Sequence, residues 1–570
     1  MSRRATGDPR TPAQTTNANG VEPPREPTTR TRGRRARHAR ARARSRSRRY
    51  LRRGLIAFGV VVVLVAGAAV GDYYYLGSLV HHQDVRGLQV NPSSEPSLNI
   101  LMIGSTSRCA LKTQNAAYGL CSQGVTGVNS DIDMILHLDP ATGAVSLLSI
   151  PRDLFVPNAR AEGANKIDAA LYEGPSQLVD AIEEDFGIPI NHYVELNFDT
   201  FASVVNALGG VRMYFPVPIF DAYSGLNIER KGCYLLNGYR ALQVVRARHL
   251  QIQPNPSNHD PRSWPQEALS DLARIRRTHE FLRVMASQVA QRGLSNPFTD
   301  QRIASAVLPD LTVDNGFSEG LMVHLARVFS HVSIANVPQL TYPVTLVETG
   351  SYLYQGYYYG DVEFPVEPTG QLAIDQLFGV GATTNSFTGQ PLPAANSFKV
   401  AVEDGAGVPS ELGATVVGLR QRGFSVSSAS TVTPVGRVDE TVVWYGGPPP
   451  PAHGNWTSPA LAAAQRVERT LEGPVIMGYN PKMVVPGSLV TVVAGTGLTF
   501  VPIASTTTTT VPHTTTTNVT TTTSPNVTTS TIFDPSGIKS NPLFTPPSPT
   551  STALAPYDPR ACNAAGTGPG

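Results

Sequence analysis

From Leu98 to about Gly379, short runs of continuous apolar residues alternate with stretches whose apolar positions recur every three or four residues. The runs predict strands and the recurring stretches predict helices, the pattern of a mixed α/β domain around one large core. "NILMIG" and "IDMILHLD" read as strands, and "AVSLLSIP" follows a turn signal at Pro140 to Gly143 that predicts a hairpin. In "QLVDAIEEDFG", Leu178, Ile182 and Phe186 fall four apart and Gly187 stops the helix. Phe281, Met285 and Val289 repeat that spacing in "HEFLRVMASQVAQRG". "ALQVVRARHL", taken at period two, is expected as a strand with Val244, Arg246 and Arg248 on one face.

A smaller α+β unit follows from about 397 to 501. Strands are expected in "FKVAVEDG", "FSVSSAS", "ETVVWYG", "GPVIMGY" and "SLVTVVAG", and helices in "ELGATVVGLRQRG" and "SPALAAAQRVERTL". Residues 380–396 read as a linker, and no cluster of catalytic residue types stands out in this unit. Beyond it, 502–570 is rich in Thr and Pro and is expected to be disordered.

Charge is distributed unevenly. The formal net charge of +3 hides an Arg-rich arm over 1–53, with thirteen Arg between Arg30 and Arg53, ahead of a net acidic remainder. Immediately after the arm, "GLIAFGVVVVLVAGAAVG" runs from Gly54 to Gly71 without a charge and is followed by Tyr73, Tyr74 and Tyr75. This predicts a single transmembrane helix over 54–76, with a linker at 77–97. The basic arm keeps the N-terminus cytoplasmic, so the cell membrane is the expected location and the bulk of the chain lies outside. A cleaved signal peptide is the rival reading, but its basic region is abnormally long and no convincing A-x-A site follows. Beside the span, contact with anionic lipid explains the arm better than nucleic acid does.

Cysteine usage fits export. Cys109 and Cys121 enclose a short loop, and a bridge there removes about 3 kcal/mol of unfolded-chain entropy. Metal binding is the alternative, but no His or further Cys stands at ligand spacing. Whether Cys233 and Cys562 pair is open at this level.

The chemistry is carried by charged residues embedded in apolar elements. In "LLSIPRDLFVP", Arg152 and Asp153 are gripped by apolar neighbours on both sides, so they either pair with each other or face a charged ligand. Asp271, Arg274 and Thr278 fall at i, i+3 and i+7 in "DLARIRRTHEFL", on one helix face. "VNSDIDMI" adds Asp131, and "ANKIDAALY" adds Lys166. Several Arg with a few carboxylates is the donor set a pyrophosphate needs: guanidinium forks for the phosphates and oxygens for a hard cation. No G-x-S-x-G is present, and His137 and His249 lack an obvious Ser or Cys partner.

The blocks "NILMIGSTSR", "NSDIDMILHLDP", "LLSIPRDLFVP", "NKIDAALYEGP", "ALGGVRMYFPVPIFD", "LNGYRALQVVRARH" and "DLARIRRTHEFL" give the span 98–379 a resemblance to the LytR-CpsA-Psr family of membrane-anchored enzymes. The unit 397–501 resembles the LytR C-terminal domain of actinobacterial members. The resemblance implies a catalytic domain that is a mixed α/β/α sheet sandwich. It also implies a phosphotransferase that moves a glycan phosphate from a polyprenyl-pyrophosphate carrier onto peptidoglycan, with Mg²⁺ or Mn²⁺ as cofactor. Lipid-linked glycan, peptidoglycan and membrane are the implied partners, with no nucleic acid. By the same resemblance Arg152, Arg246, Arg248, Asp271 and Arg274 are catalytic, Arg108, Lys166, Asp153 and Thr278 bind substrate, and Asp131 and Thr106 face the metal. Thr106 stands where the family has a second Asp, Asn129 replaces an Arg, and Thr278 with His279 replaces a Gln pair. Asp133 is a candidate to compensate as a ligand. Two readings remain beside this one: a non-catalytic envelope protein that binds lipid-linked glycan or peptidoglycan, and a polyprenyl-pyrophosphate pyrophosphatase.

Overall fold

The structure, a computed structural model, describes most of residues 75–569. The stretches 1–74, 91–96, 110–119, 293–304, 333–336, 348–351, 431–437 and 504–553, with a few shorter gaps that include Arg108, are outside the described residues. The expected span over 54–76 falls almost wholly outside them. Among the described residues no helix is long and apolar enough to cross a membrane.

The first strands in chain order are β1 His81–Gln83, β2 Leu98–Ser105, β3 Ser130–Asp139, β4 Ala144–Ile150, β5 Phe155–Arg160, β6 Gly163–Lys166 and β7 His192–Leu196. A seven-stranded mixed sheet runs in the order β1, Leu311–Asp314, β7, β2, β3, β4, Gln339–Thr341. β2 sits near its middle and is buried on both faces: Ile100 belongs to one apolar cluster, Leu101 and Ile103 to another. That explains its unbroken apolar run, since a strand covered on both sides shows no alternation. β3 and β4 form the expected antiparallel hairpin, from Asp133 opposite Ile150 to Asp139 opposite Ala144. The helix Pro175–Phe186 begins with Pro in its first turn, buries Leu178, Ile182 and Phe186, and ends at Gly187 with φ 66°. The segment 77–97, expected as a linker, contributes β1, which pairs in parallel with Leu311–Asp314.

The small unit has every expected strand and helix. Its five-stranded sheet runs Ser425–Ser430, Lys399–Asp404, Val490–Ala494, Thr441–Tyr445, Val475–Tyr479. It is welded to the larger domain: Val442, Trp444 and Ile476 share one apolar cluster with Leu178, Ile182 and Phe186. The Asn158 amide brackets the Tyr479 backbone, donating to its carbonyl at 2.8 Å and accepting from its N–H at 2.9 Å. Within the expected linker 380–396, Asn385 donates to Gln465 at 2.7 Å.

This junction is rich in buried acids. Burial pushes Glu183, Glu184, Asp185, Glu440 and Glu468 well above the usual carboxylate range, and Glu367 up to about 7. A folded-state value above the unfolded one gives stability that is fully present below about pH 4 and is lost as pH rises through the folded value. The lowered value of Asp153, where burial is outweighed by Arg152, Arg248 and Lys166, acts in the opposite sense. The junction outnumbers it, so the melting temperature is expected to fall between pH 5 and pH 8.5. Calorimetry across that range checks this, and a flat or rising profile contradicts it.

Both cysteine pairs are bridged, Cys109 to Cys121 as the loop composition suggested and Cys233 to Cys562 across 329 residues. The second bridge corrects the expectation that all of 502–570 is disordered. Arg560–Ala561 pairs antiparallel with Val211–Phe215, and Asp558 is fully buried against Arg276 and Arg277. The Thr and Pro content of the tail concealed one short stretch, Tyr557 to Cys562, whose phenol hydroxyl, carboxylate and disulfide sulfur each find a partner on the larger domain, Glu267, Arg276 and Cys233.

Candidate functional site

Pro151 ends β4 and turns Arg152 inward over the sheet end where β3 begins. There Arg152 bonds to the Asp131 carboxylate and lies 3.6 Å from Asp153 and 3.8 Å from Asp271. Asp153 is the hub. It binds Lys166 Nζ at 3.0 Å and also takes a hydrogen bond from Arg248. Asp271, in the first turn of the helix Ser270–Arg292, meets Arg248 Nε at 3.0 Å and Arg274 Nη2 at 3.1 Å. Burial opposes charge on Arg152, but Asp131, Asp153 and Asp271 overcome it and raise its affinity for the proton. Arg152 and Asp153 do not form a private pair: both sit in a shared network of ion pairs that also includes Asp131, Lys166, Arg248 and Asp271.

The expected strand at "ALQVVRARHL" is a helix, Gly238–Arg246. Its Ala241, Leu242, Val244 and Val245 bury at helical spacing, and Asn237 caps it by accepting from the Arg240 N–H at 2.9 Å. Gly238 is needed where it starts, because a Cβ there would lie 2.3 Å from the Ala202 carbonyl oxygen. The consequence is that Arg246 and Arg248 do not share a face. Arg246 closes the helix with its guanidinium 4.7 Å above the Phe198 ring, and Arg248, two residues on in extended chain, reaches Asp153 and Asp271.

Beside the charges is an apolar cavity of about 170 Å³. Met134, Phe201, Leu242, Val245, Leu282 and Met285 line it, and Asp131, Arg246, Arg274 and Thr278 border the same space. Thr278 turns its hydroxyl back to the Arg274 carbonyl at 2.9 Å, so it shapes the wall. His279 pairs with Ser149 Oγ at 2.6 Å, and burial holds it near 4, so it is neutral at physiological pH. Arg108 lies outside the described residues.

The two residues assigned to a metal do not make a preformed site. Thr106 offers a neutral hydroxyl that accepts the Asn129 N–H at 3.0 Å, and the Asp131 carboxylate is engaged by Arg152. Asp133 is buried and pushed up to about 8 by desolvation, and it accepts a hydrogen bond from Ser130 Oγ at 2.9 Å. Among the described residues no group of three or more His, Cys, Asp or Glu is placed to hold an ion.

Two acids escaped the sequence reading. Asp168 accepts from Asn129 Nδ2 at 3.2 Å, and burial pushes it up to about 6 against the pull of Arg152. Glu363 lies in the strand Glu363–Pro365, beside Asp153. Both show the signal that singled out Arg152, a charge gripped by apolar residues, in "KIDAAL" and "DVEFPV".

Comparison with known proteins gives the following. The LytR_cpsA_psr family model matches residues 76–364. The probable cell wall biosynthesis protein LcpB of Corynebacterium glutamicum is 32% identical over 282 residues, 48% of this chain and 60% of that protein. The polyisoprenyl-teichoic acid–peptidoglycan teichoic acid transferase TagV of Bacillus subtilis is 26% identical over 327 residues, 54% of this chain and 73% of the relative. A solved LytR-Csp2A-Psr enzyme from Actinomyces oris is 23% identical, covering 47% of this chain and 88% of that one with a TM-score of 0.38. The chain spans about three-fifths of the length of LcpB and of the related LcpA.

Proposed function

The chain belongs to the LytR-CpsA-Psr family, and we propose that it transfers a glycan phosphate from a polyprenyl-pyrophosphate carrier to a hydroxyl of peptidoglycan. One observation carries this reading: two guanidinium groups, Arg246 and Arg274, border an apolar pocket, and Asp271 links Arg274 to Arg248 and Arg152 just beyond it, which suits a ligand that is a pyrophosphate at one end and a hydrocarbon at the other. Phosphoryl transfer needs chiefly positioning and neutralisation of charge. Arg152, Arg246, Arg248 and Arg274 neutralise the two phosphates. Asp153 and Asp271, each engaged by more than one cation, hold Arg152, Arg248 and Arg274 in register, and Phe198 supports Arg246. The acceptor hydroxyl attacks the sugar-side phosphorus as its proton passes to a carboxylate of the site, for which Asp271 is the candidate, or to water; the P–O–P bond breaks, and polyprenyl phosphate leaves. The pocket, lined by the helices Phe198–Ala207, Gly238–Arg246 and Ser270–Arg292, is where the first units of the prenyl chain would lie.

The test is incubation of the purified protein with labelled lipid-pyrophosphate glycan and peptidoglycan, with magnesium or with chelator. Label in peptidoglycan supports transfer; release of free glycan phosphate alone supports a pyrophosphatase, and binding without reaction supports a non-catalytic envelope protein. The names of the relatives, with teichoic acid transferase among them, favour transfer.

The same reading places the protein in the cell membrane, single-pass, with its Arg arm inside. Protease added to intact cells should remove the folded domains and leave the arm. Survival of the folded domains in unpermeabilised cells rejects this topology.

A further inference from the structure

Glu363 is not among the residues used above, yet it is built into the site. The strand Glu363–Pro365 pairs with Val344–Leu346, setting Glu363 opposite Leu346, and the Glu363 N–H donates to the Asp153 carbonyl at 2.9 Å. Its backbone is thus fixed to the residue that bears the hub carboxylate. The residue is 2% exposed, and its Oε2 is buried without a hydrogen-bond partner. The charges that act on it are those of the site: Asp271 and Asp153 repel its anion, and Arg248 and Arg274 attract it. An ionised carboxylate buried there adds a negative charge that repels an incoming phosphate and offsets the pull of the same two guanidinium groups, whereas a neutral carboxylic acid does not.

We propose that Glu363 is the proton-carrying positioning residue of the phosphate site: as the neutral acid it leaves the charge of Arg248 and Arg274 to the pyrophosphate, and when it ionises its own charge offsets theirs and pyrophosphate affinity falls. This rests on the pyrophosphate reading of the site. Burial, with Asp271 and Asp153 adding to it, pushes Glu363 up to about 8, so the neutral form prevails at neutral pH and is lost in mild alkali. A dianionic ligand beside it favours the proton further. Binding of pyrophosphate and of the Glu363 proton are therefore linked, each strengthening the other.

The experiment measures inorganic pyrophosphate affinity calorimetrically from pH 7 to pH 9, for the full-length protein in detergent and for Glu363→Gln, which mimics the neutral acid. Pyrophosphate's own titration is common to both, so the difference between them belongs to the protein. The wild type is expected to lose about tenfold more affinity than Glu363→Gln across that range, with equal affinities at pH 7. Asp133 is also held neutral by burial, so Asp133→Asn is measured in parallel and is expected to keep the wild-type decline. The proposal is overturned by parallel declines in wild type and Glu363→Gln, by a decline abolished in Asp133→Asn alone, or by loss of binding in Glu363→Gln at pH 7. Infrared difference spectra of the wild type at pH 8.5 give a reading that needs no variant: pyrophosphate should increase the protonated-carboxyl band, and no increase rejects the proposal. Absence of pyrophosphate binding at every pH removes the reading of the site itself, and this inference with it.

Discussion

Arg152→Ala is expected to lower glycan transfer by about 30- to 1000-fold, the loss of a charge-assisted phosphate contact of about 2 to 4 kcal/mol realised in the transition state. Arg152 touches Asp131 directly and lies within 4 Å of Asp153 and Asp271, so it is the cation shared by three of the site's carboxylates. Its removal leaves Arg248, Lys166 and Arg274 to satisfy Asp153 and Asp271, and those residues are drawn off the ligand at the same time. The fold should survive, because the side chain is partly open to solvent and the apolar clusters on either side of the sheet do not include it. Initial rates with the labelled donor, alongside a circular dichroism melt, separate the two effects. A variant that folds and transfers at the wild-type rate shows that the phosphates bind elsewhere.

Asp558→Ala is expected to cost about 3 to 5 kcal/mol of stability, because it breaks a buried ion-pair box from one corner. Arg276 bonds Glu267 at 2.9 Å and also Asp558; Arg277, fully buried, bonds Glu267 and lies 4.0 Å from Asp558. With alanine at 558, two buried guanidinium groups are left to one carboxylate. Both arginines belong to the helix that carries Asp271, Arg274 and Thr278, so transfer should fall together with stability. Denaturant titration of the two proteins checks it; a difference below 1 kcal/mol means the C-terminal segment is not holding that helix.

Much of this molecule is legible one residue after another. The strands β2, β3 and β4 and the helix Pro175–Phe186 form where periodicity, turn residues and a terminal Gly place them, because each of those signals is local. Asp271, Arg274 and Thr278 share a helix face for the same reason. The stretch at Arg246 and Arg248 failed because two arginines two apart suit a strand, while the burial of Ala241, Leu242, Val244 and Val245 against neighbouring elements selects a helix. Periodicity over so few residues does not choose between them.

What the chain alone determined, then, was the set of charges embedded in apolar elements, the bilayer-length apolar run and the order of strands and helices from Ser397 to Val501. Tertiary structure alone decided which charges meet. Asp153 becomes the hub for Arg248 and Lys166, Glu363 comes to lie behind Asp153, and Asp558 crosses from the far end of the chain to close on Arg276 and Arg277. These contacts join residues from 13 to 282 positions apart. Ion pairing in a buried site depends on distance and desolvation, which a linear pattern does not contain and only the packed chain supplies.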